Sequence, residues 1–182
     1  MEVNVAAGLG RGPTELSAFD AALAGAGVAD YNLVTVSSVL PADSHVRVVD
    51  SVPDLGPAGG RLTTVLAETA APPTGTADGA AARPVAPADD PDLVAGLGWA
   101  TGPGPGLFYE ATGETTAAVR ERLRRGLDAG AGLRDWTLPD RETLLAPAAR
   151  AADAHVAAVV VAAYGTTERI GGPPRGGGDR SV

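Results

Sequence analysis

The run His155-Val156-Ala157-Ala158-Val159-Val160-Val161-Ala162-Ala163 constrains the fold more than any other stretch of the chain. A strand that is apolar on both faces must be covered on both faces, which places it at the centre of a sheet. Val3–Ala7, residues 31 to 37, Val46–Val49, Leu62–Leu66, Leu93–Ala100, Leu107–Ala111 and Leu144-Leu145 read as further strands. Two helices are predicted. One covers residues 14 to 25, with Thr14 as N-cap, Glu15 in its first turn, and Leu16, Phe19, Leu23 and Ala24 as its apolar stripe. The other spans Thr115–Ala129, with Val119, Leu123 and Leu127 on one face. Two helices among many strands predict an α+β layered fold in one domain over residues 1 to 165. Gly8–Pro13 reads as a loop, residues 71 to 91 as a flexible excursion between strands, and residues 166 to 182 as a disordered tail.

What the chain lacks narrows its chemistry. All 14 of its basic side chains are arginine, and it has neither lysine nor cysteine. A lysine-anchored Schiff-base cofactor and a thiol nucleophile are both excluded. The net charge of −8 argues against nucleic acid and mildly favours a cationic small molecule. His45 and His155 have no carboxylate at zinc-ligand spacing, so no metal is expected. No Gly-x-Ser-x-Gly elbow is present. Gly8-Leu9-Gly10-Arg11-Gly12 lacks the spacing of a dinucleotide-binding turn, so nucleotide binding is not expected. The segment Met1–Val5 lacks the basic and apolar pattern of a secretory leader. The apolar run Ala152–Tyr164 is interrupted by Asp153 and His155 and is too short to span a bilayer. A soluble, cytoplasmic protein without a membrane partner is expected.

Five residues stand out as chemistry. Ser37-Ser38 closes the run Tyr31–Val36 and precedes Val39-Leu40-Pro41. A serine at a strained strand end can supply a carbonyl electrophile by cutting its own backbone. Asp20, four residues after Leu16 and three before Leu23, falls on or beside the helix stripe. It either pairs with a cation or sits at the stripe's edge. Glu110 alternates with Phe108 and so shares its face. On a core face the carboxyl is desolvated and suited to general acid work; on a wet face it is an ordinary solvated residue. Asn32, six residues before Ser38, shares its strand face if the strand runs regularly. Its amide can bind a carboxylate or an oxyanion, or satisfy a turn.

The pattern resembles the pyruvoyl-dependent arginine decarboxylases. The resemblance runs through Thr14-Glu15-Leu16-Ser17-Ala18-Phe19-Asp20-Ala21-Ala22-Leu23, Ala26-Gly27-Val28 and Asn32-Leu33-Val34-Thr35-Val36-Ser37-Ser38-Val39-Leu40-Pro41. It returns at Gly106-Leu107-Phe108-Tyr109-Glu110, from Gly132-Leu133 to Trp136, and in the Ala-rich closing strand. It implies a four-layer αββα sandwich of mostly antiparallel sheets with two main helices. It also implies a proenzyme in which the Ser38 hydroxyl attacks the Ser37 carbonyl. Residues 1 to 37 would become a β subunit, and residue 38 a covalent pyruvoyl group at the head of an α subunit. That group would form a Schiff base with arginine and release agmatine and CO2, with no pyridoxal phosphate and no metal. By the resemblance Glu110 is the proton donor, Asp20 meets the guanidinium, and Asn32 and Leu23 line the substrate site. On that assignment Glu110→Gln leaves self-cleavage intact and removes turnover.

The resemblance further implies trimers of processed protomers with sites at subunit interfaces, or dimers of such trimers. Two departures stand out: Ala42 follows Pro41 where relatives often have a second proline, and residues 71 to 91 form a long excursion. Two alternatives stay open from the residues. One is the same chemistry on another amino acid. The other is an unprocessed, non-catalytic homologue that binds a cationic metabolite or a partner.

Overall fold

A computed structural model describes residues 1–77 and 80–168; Asp78, Gly79 and residues 169 onward, which hold most of the expected tail, lie outside the described residues. The chain order is β1 (Glu2–Gly12), α1 (Glu15–Ala26), β2 (Asn32–Thr35), β3 (Val39–Leu40), β4 (His45–Val48), β5 (Arg61–Ala71), β6 (Arg83–Pro84), β7 (Leu93–Thr101), β8 (Gly106–Gly113), α2 (Thr116–Arg134), β9 (Asp140–Ala148) and β10 (His155–Tyr164). One sheet has the order β2-β5-β10-β1-β4, with β6 added on β1; the other runs β3-β8-β7-β9. Among the described residues, only β1·β4 and β2·β5 pair in parallel.

The apolar closing strand lies at the centre of the larger sheet, flanked by β5 and β1. Its side chains alternate between two cores. Val156, Ala158, Val160, Ala162 and Tyr164 face the second sheet together with Leu97, Trp99 and Phe108. Ala157, Val159, Val161 and Ala163 face α1. On the far side, Leu107, Leu127 and Ala131 and then Val94, Val119 and Leu123 bind α2 to the smaller sheet. The result is a four-layer αββα sandwich.

Three expectations need correction. Residues 8 to 12 are not a loop: they continue β1, because Gly8, Gly10 and Gly12 lie under α1. A Cβ at Gly8 would fall on the Ala22 carbonyl, and one at Gly10 on the Ala18 carbonyl. The buried face of α1 is therefore small, built from Ala18, Ala21, Ala22, Leu23 and Ala26, while Leu16 is 68% exposed. Of the predicted stripe, Leu23 is buried and Phe19 half-buried, but Leu16 and Ala24 are exposed, because directly over β1 the close approach leaves room only for alanine-sized side chains. Asp20 is accordingly exposed. The strand expected over residues 31 to 37 stops at Thr35, where the chain changes sheets. Thr14 caps α1 with its hydroxyl on the Ser17 amide, as the sequence predicts. In the excursion, Val85 N–H donates to the Leu9 carbonyl and Ala88 N–H to the Pro147 carbonyl.

Candidate active site

β2 is an edge strand of one sheet and β3 an edge strand of the other, so residues 36 to 38 bridge the two. Val36 N–H still donates to the Thr64 carbonyl of β5 at 3.0 Å. Two residues later the Ser38 carbonyl accepts from Phe108 N–H of β8 at 2.7 Å. Ser37 lies between these ladders, and its carbonyl accepts from Val39 N–H at 2.8 Å. That bond from residue i+2 closes a γ-turn, and the negative φ of Ser38 makes it the inverse form. The Ser37–Ser38 peptide is thereby held at both ends.

β8 carries Glu110 on the same face as Phe108, which points into the inter-sheet core. Glu110 is half-buried near the open edge of the sandwich. Its carboxylate accepts from Ser38 Oγ, at 3.1 Å to Oε1 and 3.0 Å to Oε2. Both oxygens within reach of one hydroxyl make this a charge-assisted contact. Behind it stands Tyr164, 9% exposed, its ring 6.1 Å from that of Phe108 in an edge-on arrangement. The Tyr164 hydroxyl is buried without a hydrogen-bond partner. Burial first, and then the nearby charge of Glu110, push its pKa up to about 12.

A cavity of about 430 Å³ opens onto this point, and Ser37, Ser38, Tyr109, Glu110, Leu133 and Arg134 are among its lining residues. Tyr109 lies flat under α2 because residue 126 is glycine; a Cβ there would meet its ring.

The structure thus brings together Ser37, Ser38 and Glu110, three of the residues singled out in the sequence. It does not bring Asn32, Asp20 or Leu23 into that cavity within one chain. Asn32 Nδ2 donates to the Gly59 carbonyl at 2.7 Å. Asp20 is on the exposed face of α1, and Leu23 is packed beneath it at 7% exposure. Sequence reasoning missed Tyr164, the Val39 and Phe108 amides, and the Thr64 carbonyl. Only Tyr164 left a trace: it is the polar tip at the end of an otherwise apolar strand. Main-chain donors leave no mark in side-chain identity.

A family model described as pyruvoyl-dependent arginine decarboxylase matches residues 2–169. A pyruvoyl-dependent arginine decarboxylase of Halobacterium salinarum is 45% identical over 172 residues, covering 92% of this chain and 96% of that protein. One from Pyrococcus abyssi is 32% identical over 136 residues, covering 74% of this chain and 77% of that protein. A relative of the same description from Methanothermobacter thermautotrophicus is 47% identical over 57 residues, covering 31% of this chain and 36% of that protein. With a serine pair clamped between two sheets, a carboxylate on its second hydroxyl, and a match across almost the whole length, the chain belongs to the pyruvoyl-dependent arginine decarboxylase family.

Proposed function

We propose that this chain is a proenzyme that cuts itself between Ser37 and Ser38 and, once cut, converts arginine to agmatine and CO2. The single observation that carries the reading is the Ser38 hydroxyl on the Glu110 carboxylate, where the chain passes from β2 of one sheet to β3 of the other.

The residues present fit a pyruvoyl group. A carbonyl made at position 38 would open onto the cavity beside Glu110, and no lysine competes for its role. When present, that group supplies the electron sink for loss of CO2 from an amino acid. The protein's own residues do the rest. Glu110 accepts the Ser38 Oγ proton during self-cleavage and later delivers a proton to the substrate's α-carbon. Phe108 N–H holds the residue 38 carbonyl in place. Tyr164 keeps its proton at any physiological pH, so its presence adds no second charge next to Glu110.

Asp20 is assigned to the substrate guanidinium, with Leu23 and Asn32 shaping the same subsite. Asp20 lies outside the Ser38 cavity of its own chain, so these residues act across a subunit interface. Val34, Val36 and Val39, exposed around the serine pair, and Leu133, 82% exposed at the cavity mouth, support a buried contact there. A trimer places each Asp20 against a neighbour's Ser38. Among the described residues no helix is long and apolar enough to cross a membrane, in keeping with a cytoplasmic enzyme.

Intact mass of purified protein tests the reading. Two chains that break after residue 37, a carbonyl on the second, and CO2 released from carboxyl-labelled arginine are expected. Ser38→Ala should remain one chain. A wild-type protein of uncut mass that does not react with hydrazides overturns it.

A further inference from the structure

The Ser37 carbonyl is the atom pair that self-cleavage attacks, yet among the described residues no side chain points a donor at its oxygen; the donor is Val39 N–H, at 2.8 Å. We propose that the Val39 main-chain amide is the oxyanion donor of the self-cleavage reaction, presented by the inverse γ-turn at Ser38. This rests on the processing step proposed above and assigns it a group of its own.

Three features point to this amide. The distance already lies in the 2.7–3.1 Å range that an oxyanion donor needs. The donor is fixed before reaction, because β3 pairs Val39 with Leu107 on one side while Phe108 N–H holds the Ser38 carbonyl. The amide is also free of other duty: the β8 ladder takes the Ser38 carbonyl rather than Val39 N–H, so among the described residues the turn is the only main-chain bond this amide makes. The same turn joins nucleophile and electrophile within one residue, with Glu110 on the nucleophile.

The step balances within the chain. The Ser38 Oγ–H bond breaks and its proton passes to the Glu110 carboxylate. The bond from Oγ to the Ser37 carbonyl carbon forms, and the carbonyl π pair moves onto the Ser37 oxygen, where Val39 N–H receives it. Collapse re-forms the carbonyl and breaks the old C–N bond, and Glu110 returns the proton to the Ser38 nitrogen. The product is the ester isomer of the starting chain, with no atom or electron gained or lost.

Replacing Val39 by its α-hydroxy acid during cell-free translation deletes the N–H and keeps the side chain. The same replacement at Val36 deletes the comparable bond to the Thr64 carbonyl on the other side of the cut. The Val39 ester is expected to slow the appearance of the two fragments by about 10²-fold, the loss typical of one oxyanion donor. The uncut chain should accumulate in a form that hydroxylamine does not split after residue 37. The Val36 ester should lag by less than about tenfold, the scale of one ordinary hydrogen bond.

Equal rates for the two esters overturn the proposal, as does a Val39 ester that stalls as a hydroxylamine-sensitive species, because the block would then follow the acyl shift. Mass separates splitting at 37 from splitting at the introduced ester. Should the ester chain not fold, deuterium exchange in the uncleavable Ser38→Ala chain reads the donor directly. A slow Val39 amide is expected, and exchange at the unprotected rate overturns the assignment. If the unmodified chain never cleaves, the proposed function fails instead.

Discussion

Ser38 and Glu110 are far apart in sequence and meet because one ends a crossover and the other sits on the strand that receives it. By the resemblance, Glu110 serves only turnover, and Glu110→Gln leaves self-cleavage intact. The contact with Ser38 Oγ adds a second duty. Glu110→Gln is therefore expected to slow self-cleavage on the order of 10²-fold as well as turnover, the lower range for loss of a general base. A time course of fragment formation on a denaturing gel checks this. Tyr164 makes a separate prediction. Its hydroxyl ionises near pH 10 in an unfolded chain and near 12 in the folded one. Between those values the folded state holds the extra proton, so stability is unaffected below pH 10 and falls as pH rises toward 12. The loss is on the order of 2 kcal/mol. Denaturant unfolding at pH 9 and pH 11.5 should show a smaller drop for Tyr164→Phe, which lacks the titrating group.

The contact between β1 and α1 is set by absence of side chains. Gly8 and Gly10 lie so close to the backbone of α1 that no Cβ fits. The alanines at 18, 22 and 26 repeat every four residues along the helix, giving the small face that such an approach demands. The glycine-rich stretch that superficially suggests a phosphate loop is thus a packing device. Gly8→Ala is expected to lower stability by about 3 kcal/mol, near the upper range for overpacking. Gly104→Ala, at a position with open space around the added Cβ, should be nearly neutral. Thermal unfolding of the two variants side by side decides the point. Gly96 and Gly98 act differently under α2: they leave space for its Val119, Leu123 and Leu127 side chains rather than for its backbone.

Cleavage at 37 would leave β1, α1 and β2 in the short fragment. β1 remains paired with β10 from Val3 to Gly12, and β2 with β5, so the fragment has no route out without unzipping the larger sheet. The two pieces should co-elute under native conditions. The proposed assembly rests on the apolar residues exposed around the site. Leu133→Asp, which places a charge in the expected contact, should shift the protein from trimer to monomer in light scattering. It should also reduce decarboxylation more than self-cleavage, since Ser38 and Glu110 share one chain while Asp20 is expected to reach the site from another.

Side-chain pattern alone determined the central strand and both helices, because alternation and helical spacing are carried by residue identity; it singled out the serine pair and Glu110 but left open which face Glu110 takes. The resemblance carried the layer order. The tertiary structure decided what depends on distance between backbones: how closely α1 approaches β1, where the chain leaves one sheet for the other, and which amide points at the Ser37 oxygen. Every residue except proline carries the same main-chain N–H and C=O, so their placement cannot be read from a string of side chains.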